Sequence, residues 1–273
     1  MKVHLIYFSP GGTTKKTVQK IAEGVDASEI IEYDMLKKEN RRKKYEFGKD
    51  DLVIMGMMTC TQLFGAPAEI FEAVQGNGTP FVGVVMYGNG FYANSLKLMK
   101  REMEQKNFKM IAAAAFIGQM TYGTNVGKNR PDEKDQELQV KFGKHISEKI
   151  TVRNDYSFNH KLKIDWPNND VFNTVKSALF MMMPQSLIKV PAPFNNLEFT
   201  DNCVTCGKCE SNCPMEAIDL TKKISNSKKC IGCLACVNNC SREGIVYTNS
   251  FMKKAAEYCE KNWTERREPE LFF

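Results

Sequence analysis

The sequence predicts an α/β chain in which a doubly wound, parallel five-stranded sheet comes first and a small α+β domain built on cysteines follows. Three observations carry this. Five short apolar runs alternate with stretches of helical periodicity across residues 3–146. A glycine- and hydroxyl-rich loop, Ser9-Pro10-Gly11-Gly12-Thr13-Thr14, directly follows the first run. Eight cysteines across residues 203–240 fall into two copies of one spacing, and almost nothing else there could build a core.

A length of 273 residues suggests about two domains. Hydrophobic residues at 42% and charged ones at 26% are ordinary for a water-exposed globular chain. No run reaches the roughly 18–20 apolar residues of a membrane span; 111–117 and 178–183 are the longest candidates. The opening residues carry no signal-peptide pattern, so a cytoplasmic, reducing setting is expected. A net charge of +6, spread as lysines over most of the length, suits an acidic redox partner, although a merely solvated surface is the default.

The first unit is expected over 1–151. Residues 3–8 read as a buried strand, and Val18, Ile21, Ala22 and Val25 then recur at helical spacing. The loop 9–14 therefore sits between a strand's carboxyl end and a helix amino terminus, where unpaired amides and the positive dipole end favour an anion. Read alone it is also consistent with a plain turn capped by Thr13. Residues 30–33 and 51–56 give a second and a third strand. The basic stretch 37–44 between them lacks interleaved aromatics and lies beside Glu39 and Glu46, which favours a solvated connection over a nucleic-acid site.

After the third strand comes a loop containing Thr59, Cys60 and Thr61, and Pro67 opens a helix using Ile70, Phe71 and Val74. Residues 81–86 form a fourth strand. It leads into Tyr87-Gly88-Asn89-Gly90-Phe91-Tyr92 and a helix with Leu96, Met99 and Met103 on one face. Residues 110–117 form the fifth. The long polar loop after it, with Tyr122, is a candidate lid; Pro131 suits the first position of a last helix using Leu138, Phe142 and Ile146. His4, His145 and His160 form no pair and are assigned no catalysis.

Strand–helix alternation with a hydroxyl-rich first loop resembles the flavodoxins. That resemblance implies strand order 2-1-3-4-5 and FMN at the switch point. It implies that Ser9, Gly12, Thr13 and Thr14 line the phosphate, with Gly11 standing where many relatives carry a hydroxyl. The loops with Thr59, Cys60 and Thr61 and with Tyr87, Gly88, Asn89, Phe91 and Tyr92 would then flank the isoalloxazine, Phe91 and Tyr92 being the stacking candidates. Cys60 reads either as a small buried residue or as a thiol beside the flavin.

A connection is expected over 152–200. It contains an amphipathic helix over 170–187, whose Met181-Met182-Met183 reads as core filler, and an extended strut over 191–194. The cysteine domain is expected over 201–249. Cys203-x-x-Cys206-x-x-Cys209-x-x-x-Cys213 is repeated, 27 positions on, as Cys230-x-x-Cys233-x-x-Cys236-x-x-x-Cys240. The shift also matches Asn212 with Asn239, Glu216 with Glu243 and Ile218 with Ile245, so a pseudo-twofold unit is predicted.

Three thiolates at this spacing suit one iron–sulfur cluster, and in such runs the fourth cysteine ligates the other copy's cluster. The expected sets are Cys203, Cys206, Cys209 and Cys240, and Cys230, Cys233, Cys236 and Cys213. Zinc is the alternative, although zinc sites pair cysteines in separated C-x-x-C units. The stretch resembles bacterial two-[4Fe-4S] ferredoxins. It departs from them at Ser241, which stands where the first copy has Pro214 and is expected to loosen that turn. A terminal helix and tail fill 250–273, with Cys259 a free thiol outside the repeat.

The order of the two resemblances is similar to a family of flavodoxin–ferredoxin fusion proteins of anaerobes. It implies two [4Fe-4S] clusters and FMN that couple one-electron and two-electron partners. The partners expected are a redox protein or a small-molecule acceptor, with a second copy of the chain a further candidate and no nucleic acid. The competing readings are a flavin-dependent reductase of a small organic substrate and a docking subunit with no flavin.

Overall fold

The coordinates are a computed structural model, and the structure describes residues 1–59, 67–122, 125–165 and 196–273. The first unit contains, in chain order, β1 (Lys2–Phe8), α1 (Thr13–Glu23), β2 (Glu29–Asp34), α2 (Lys38–Arg41), β3 (Tyr45–Phe47), β4 (Leu52–Met58), α3 (Glu69–Glu72), β5 (Val74–Gly76), β6 (Thr79–Tyr87), α4 (Ser95–Gln105), β7 (Phe108–Ile117) and α5 (Glu133–Thr151). The main sheet runs β2-β1-β4-β6-β7, all parallel, and this is the 2-1-3-4-5 order of a flavodoxin-like doubly wound sheet. Its core strands read as unbroken apolar runs because both faces are covered. Ile6, Phe8, Met55 and Val85 face one core, while Leu5, Tyr7, Ile54 and Val84 face another, built with Val18 and Ile21 of α1 and Phe142 and Ile146 of α5.

Four local expectations are corrected. Val74 leaves the helix and starts β5, which pairs parallel with β3 in a small separate sheet. Pro131 precedes α5 rather than opening it; Asp132 is the cap, its carboxylate accepting from the Asp135 amide at 3.1 Å in a reciprocal capping box. The basic stretch 37–44 is not merely solvated, because Arg41 is buried. Finally, the tail does not trail off.

Past the cysteine unit, α8 (Ser250–Asn262) leads to β12 (Glu270–Phe272), which pairs antiparallel with β7 through Ala113, Ala114 and Ala115. The sheet thereby gains a sixth, C-terminal edge strand and the β7 edge is covered. Asp165, within the expected connection, bridges to Ala93 by two backbone hydrogen bonds of 3.0 Å. The helix expected over 170–187 and the strut over 191–194 lie outside the described residues.

The cysteine unit contains β8 (Leu197–Phe199), α6 (Lys208–Ser211), β9 (Ile218–Asp219), β10 (Ile224–Ser225), α7 (Ala235–Asn238) and β11 (Ile245–Tyr247). Each element of the first copy has a counterpart 27 positions on, and the repeat starts at Leu197 rather than at residue 201. The first strand of each copy pairs antiparallel with the last strand of the other: β8 with β11, and β10 with β9. Left-handed backbone repeats too, at Thr205 and Gly232, Gly207 and Leu234, and Glu216 and Glu243. A pseudo-twofold α+β unit results. Among the described residues no helix is long and apolar enough to cross a membrane.

Candidate functional site

The hydroxyl-rich loop leaves β1 and turns into α1 through Gly12, whose φ of +80° lies in the left-handed region. The cap residue Gly12 has no side chain to occupy the amides of Thr13 and Thr14, which remain available to an anion. Ser9 is engaged locally, its hydroxyl accepting from the Lys15 amide at 3.0 Å. Thr13 and Thr14 follow on the first turn, with Thr14 buried against the strand side.

The three loops at the carboxyl ends of β1, β4 and β6 open into one cavity of about 320 Å³. Ser9, Gly11, Thr13, Thr14, Thr59, Tyr87, Gly88 and Phe91 line it, joined by Met58, Met86 and the segment from Gly118 to Tyr122. The structure thus brings together most of the residues expected there. Cys60 and Thr61 lie outside the described residues. Gly12 shapes the loop without lining the cavity. Asn89 and Tyr92 are corrections. Asn89 is buried, its amide donating to the carbonyls of Trp263 and Glu265, both at 2.7 Å. Tyr92 packs edge-on against Tyr87 in the core and donates from its hydroxyl to Glu270 at 3.3 Å, so it holds the tail rather than a ligand. His145 and His160 pack against Phe273 and Phe272.

Two lining residues come from a part of the chain where sequence offered no sign of them. Cys259 and Trp263, on and just after α8, close one side of the cavity. Trp263 lies against Gly90 and meets Phe91 edge-on at 5.5 Å between ring centroids. Arg267 then fixes the strap by donating to the Gly90 carbonyl, pairing with Asp165 at 3.1 Å and lying over the Tyr87 ring. Nothing at the sequence level ties a terminal tryptophan to a loop more than a hundred residues earlier.

The eight cysteines of the repeat gather as two sets of four. Cys203, Cys206, Cys209 and Cys240 line one cavity, and Cys213, Cys230, Cys233 and Cys236 line the other. Amides point at sulfur in both: Ala217 to Cys213 at 3.2 Å, Gly244 to Cys240 at 3.1 Å and Gly232 to Cys230 at 3.3 Å. The first two are equivalent positions of the repeat, so Ser241 does not loosen its turn relative to Pro214. The thiols are tuned by their surroundings. Burial raises those of Cys209, Cys230 and Cys236 and pushes Cys233 up to about 12, while the Arg242 amide, with smaller help from Gly244, lowers Cys240.

Buried thiols that resist ionisation need a strong positive partner to become thiolates. Two sets of four thiols with backbone amides aimed at their sulfurs are the donor chemistry of an iron–sulfur cluster. The donor set fits such a cluster.

The two units share a wall. Tyr122, which lines the large cavity, donates from its hydroxyl to the carbonyl of Gly232, between Cys230 and Cys233. Ile231 and Cys233 pack on the core of the first unit, and Asn239 donates to the Pro10 carbonyl in the hydroxyl-rich loop at 3.3 Å. On the far side, Cys206 and Val204 are exposed.

Residues 197–241 match the model of a 4Fe-4S dicluster domain, a span that contains all eight cysteines. The C-terminal unit is therefore a ferredoxin-type 4Fe-4S domain. No curated protein matches this chain. Solved structures similar to the first unit include a flavodoxin from the domain Archaea, at 16% identity and TM-score 0.39, covering 55% of this chain and 99% of that one. A Streptococcus pneumoniae TIGR4 flavodoxin gives 15%, 0.37, 55% and 99% for the same quantities. A flavodoxin-like domain from Synechococcus gives 12%, 0.35, 55% and 99%. The fold assignment rests on the strand order and register described above.

Proposed function

We propose that this chain is an electron-transfer iron–sulfur flavoprotein of the flavodoxin–ferredoxin fusion type, passing electrons between two [4Fe-4S] clusters and FMN. The observation that carries the reading is the shared wall: one residue, Tyr122, lines the strand-end cavity and hydrogen-bonds the cysteine loop at Gly232. When bound, the clusters supply one-electron steps and the flavin joins these to a two-electron couple. The chain's own residues bind, shield and order these groups.

Amides of the first turn of α1, with Thr13 and Thr14, receive the phosphate. Met58, Thr59 and the backbone around Gly88 and Gly118 bound the ring site, with Phe91 and Trp263 as its aromatic walls. Cys213, Cys230, Cys233 and Cys236 hold the near cluster against the first unit, and the burial around Cys236 and Leu234 keeps water from it. Cys203, Cys206, Cys209 and Cys240 hold the far cluster, whose exposed Cys206 edge faces an external redox partner. On this reading the far set meets the partner and the near set serves the flavin. Thiolate-held clusters also suit a reducing cytoplasm.

An anaerobic reductive titration of reconstituted chain, followed by optical and EPR spectra with iron, sulfide and flavin quantified, tests the reading. Two [4Fe-4S] clusters and one FMN per chain are expected. Fewer than two clusters would overturn the cluster assignment, and flavin-free protein would overturn the FMN site. Rapid turnover of a small organic acceptor without any carrier protein would favour the reductase reading instead.

A further inference from the structure

Arg41 is the most deeply buried cation at the junction of the two units. It is 5% exposed, yet sequence places it in a run of lysines and arginines that reads as solvated. Its guanidinium is spent on carbonyls: Met35 at 2.6 Å and Leu36 at 2.9 Å from one nitrogen, and Pro214 from the other. Pro214 directly follows the cluster cysteine Cys213. Nε is buried with no partner among the described residues. Among the described residues no carboxylate hydrogen-bonds to this cation, and the acids that act on it most, Glu69 and Glu39, are exposed, where solvent screens them.

A buried, locally unneutralised cation is costly unless a negative charge is near it. An electron arriving on the adjacent cluster supplies that charge. We propose that Arg41 makes the cluster held by Cys213, Cys230, Cys233 and Cys236 the easier of the two to reduce, and that it does so only while the two units are docked. This rests on the two-cluster reading above.

The redox step is the addition of one electron to that cluster, donated by the far cluster or by a chemical reductant, with no proton transferred. Net charge and exposure are among the levers that set cluster potentials. The far set has cations of its own, Lys208 and Arg242, but both are exposed and Cys206 stands in solvent, so salt and water screen them. The resulting asymmetry draws electrons toward the wall shared with the strand-end cavity. Linkage requires the converse as well: reduction of the near cluster tightens the contact between Arg41 and the Pro214 turn.

The test is an EPR-monitored potentiometric titration of full-length, reconstituted Arg41→Gln and Arg41→Lys, with iron and sulfide quantified in each. In Arg41→Gln one cluster's reduction equilibrium falls about tenfold, equivalent to about 59 mV for a one-electron couple, and the other is unmoved. Arg41→Lys keeps the charge and leaves both close to wild type. Lys38→Glu acts on a half-buried neighbour that pairs with Glu216, and shifts the same cluster in the same direction by less. It carries the test if Arg41→Gln does not assemble, and an unshifted midpoint there would overturn the proposal. So would unmoved midpoints in Arg41→Gln with intact clusters, or equal shifts in Arg41→Gln and Arg41→Lys. Wild-type chain lacking acid-labile sulfide would instead remove the cluster reading itself.

Discussion

Trp263 stands so close over Gly90 that a methyl group on that glycine would lie 2.4 Å from its ring. The indole also meets Phe91 at 5.5 Å and Tyr258 at 6.3 Å, both edge-on, which fixes one plane of aromatic surface at the rim of the strand-end cavity. Removing the indole opens that side to water and frees the loop from Gly88 to Phe91. Trp263→Ala is expected to weaken flavin retention about tenfold, worth about 1.4 kcal/mol, with Trp263→Phe losing less; fluorescence of flavin released on dilution measures both. Gly90→Ala should act in the same direction, since the new methyl group displaces the ring. Tyr92, the other stacking candidate in sequence, is expected to leave flavin affinity unchanged as Tyr92→Phe, because its hydroxyl serves Glu270.

The sheet's elements were legible because burial on both faces turns strands into apolar runs, and because Val18, Ile21, Phe142 and Ile146 repeat at helical spacing. The crossing of α1 and α5 was not legible, since it depends on absence of bulk. A Cβ on Gly143 would lie 1.9 Å from the Ile21 carbonyl, and one on Gly24 would lie 2.1 Å from the Val140 carbonyl. Both obstacles are backbone. In an isolated helix Gly143→Ala would be favourable by about 1 kcal/mol; here the sign reverses, and a net loss of about 1–3 kcal/mol is expected as the helices are forced apart, read as a lower thermal midpoint. Val74 and β12 escaped for a related reason. Three-residue strands such as Val74–Gly76 and Glu270–Phe272 have too few residues to show a period, and their partners, Tyr45–Phe47 and the alanines of β7, are remote in sequence.

Across the whole molecule, the cysteine sets were legible because ligand chemistry fixes spacing, whereas their unequal surroundings come from docking contacts that no local pattern encodes. Tyr122 to Gly232, Asn239 to Pro10 and Arg41 to Pro214 each join residues far apart in the chain. The surface Lys38–Glu216 pair adds little to them. Docking packs the partly buried Cys233 against the first unit and leaves Cys206 in water. In the iron-free chain this difference controls alkylation, because only a thiolate attacks and only an accessible one is reached. Brief iodoacetamide treatment near neutral pH, mapped by mass spectrometry, should therefore label Cys206 early and Cys233 and Cys236 last. The pH dependence follows in sign. Burial pushes Cys233 up to about 12, so its thiolate fraction, and with it the labelling rate, still rises about tenfold per pH unit between 7 and 10. Cys240, held low by the Arg242 amide, levels off at a lower pH. Equal labelling of Cys206 and Cys233 at neutral pH would mean that the ferredoxin-type unit does not sit against the first unit in solution, and the assignment of a near and a far cluster would fall with that contact.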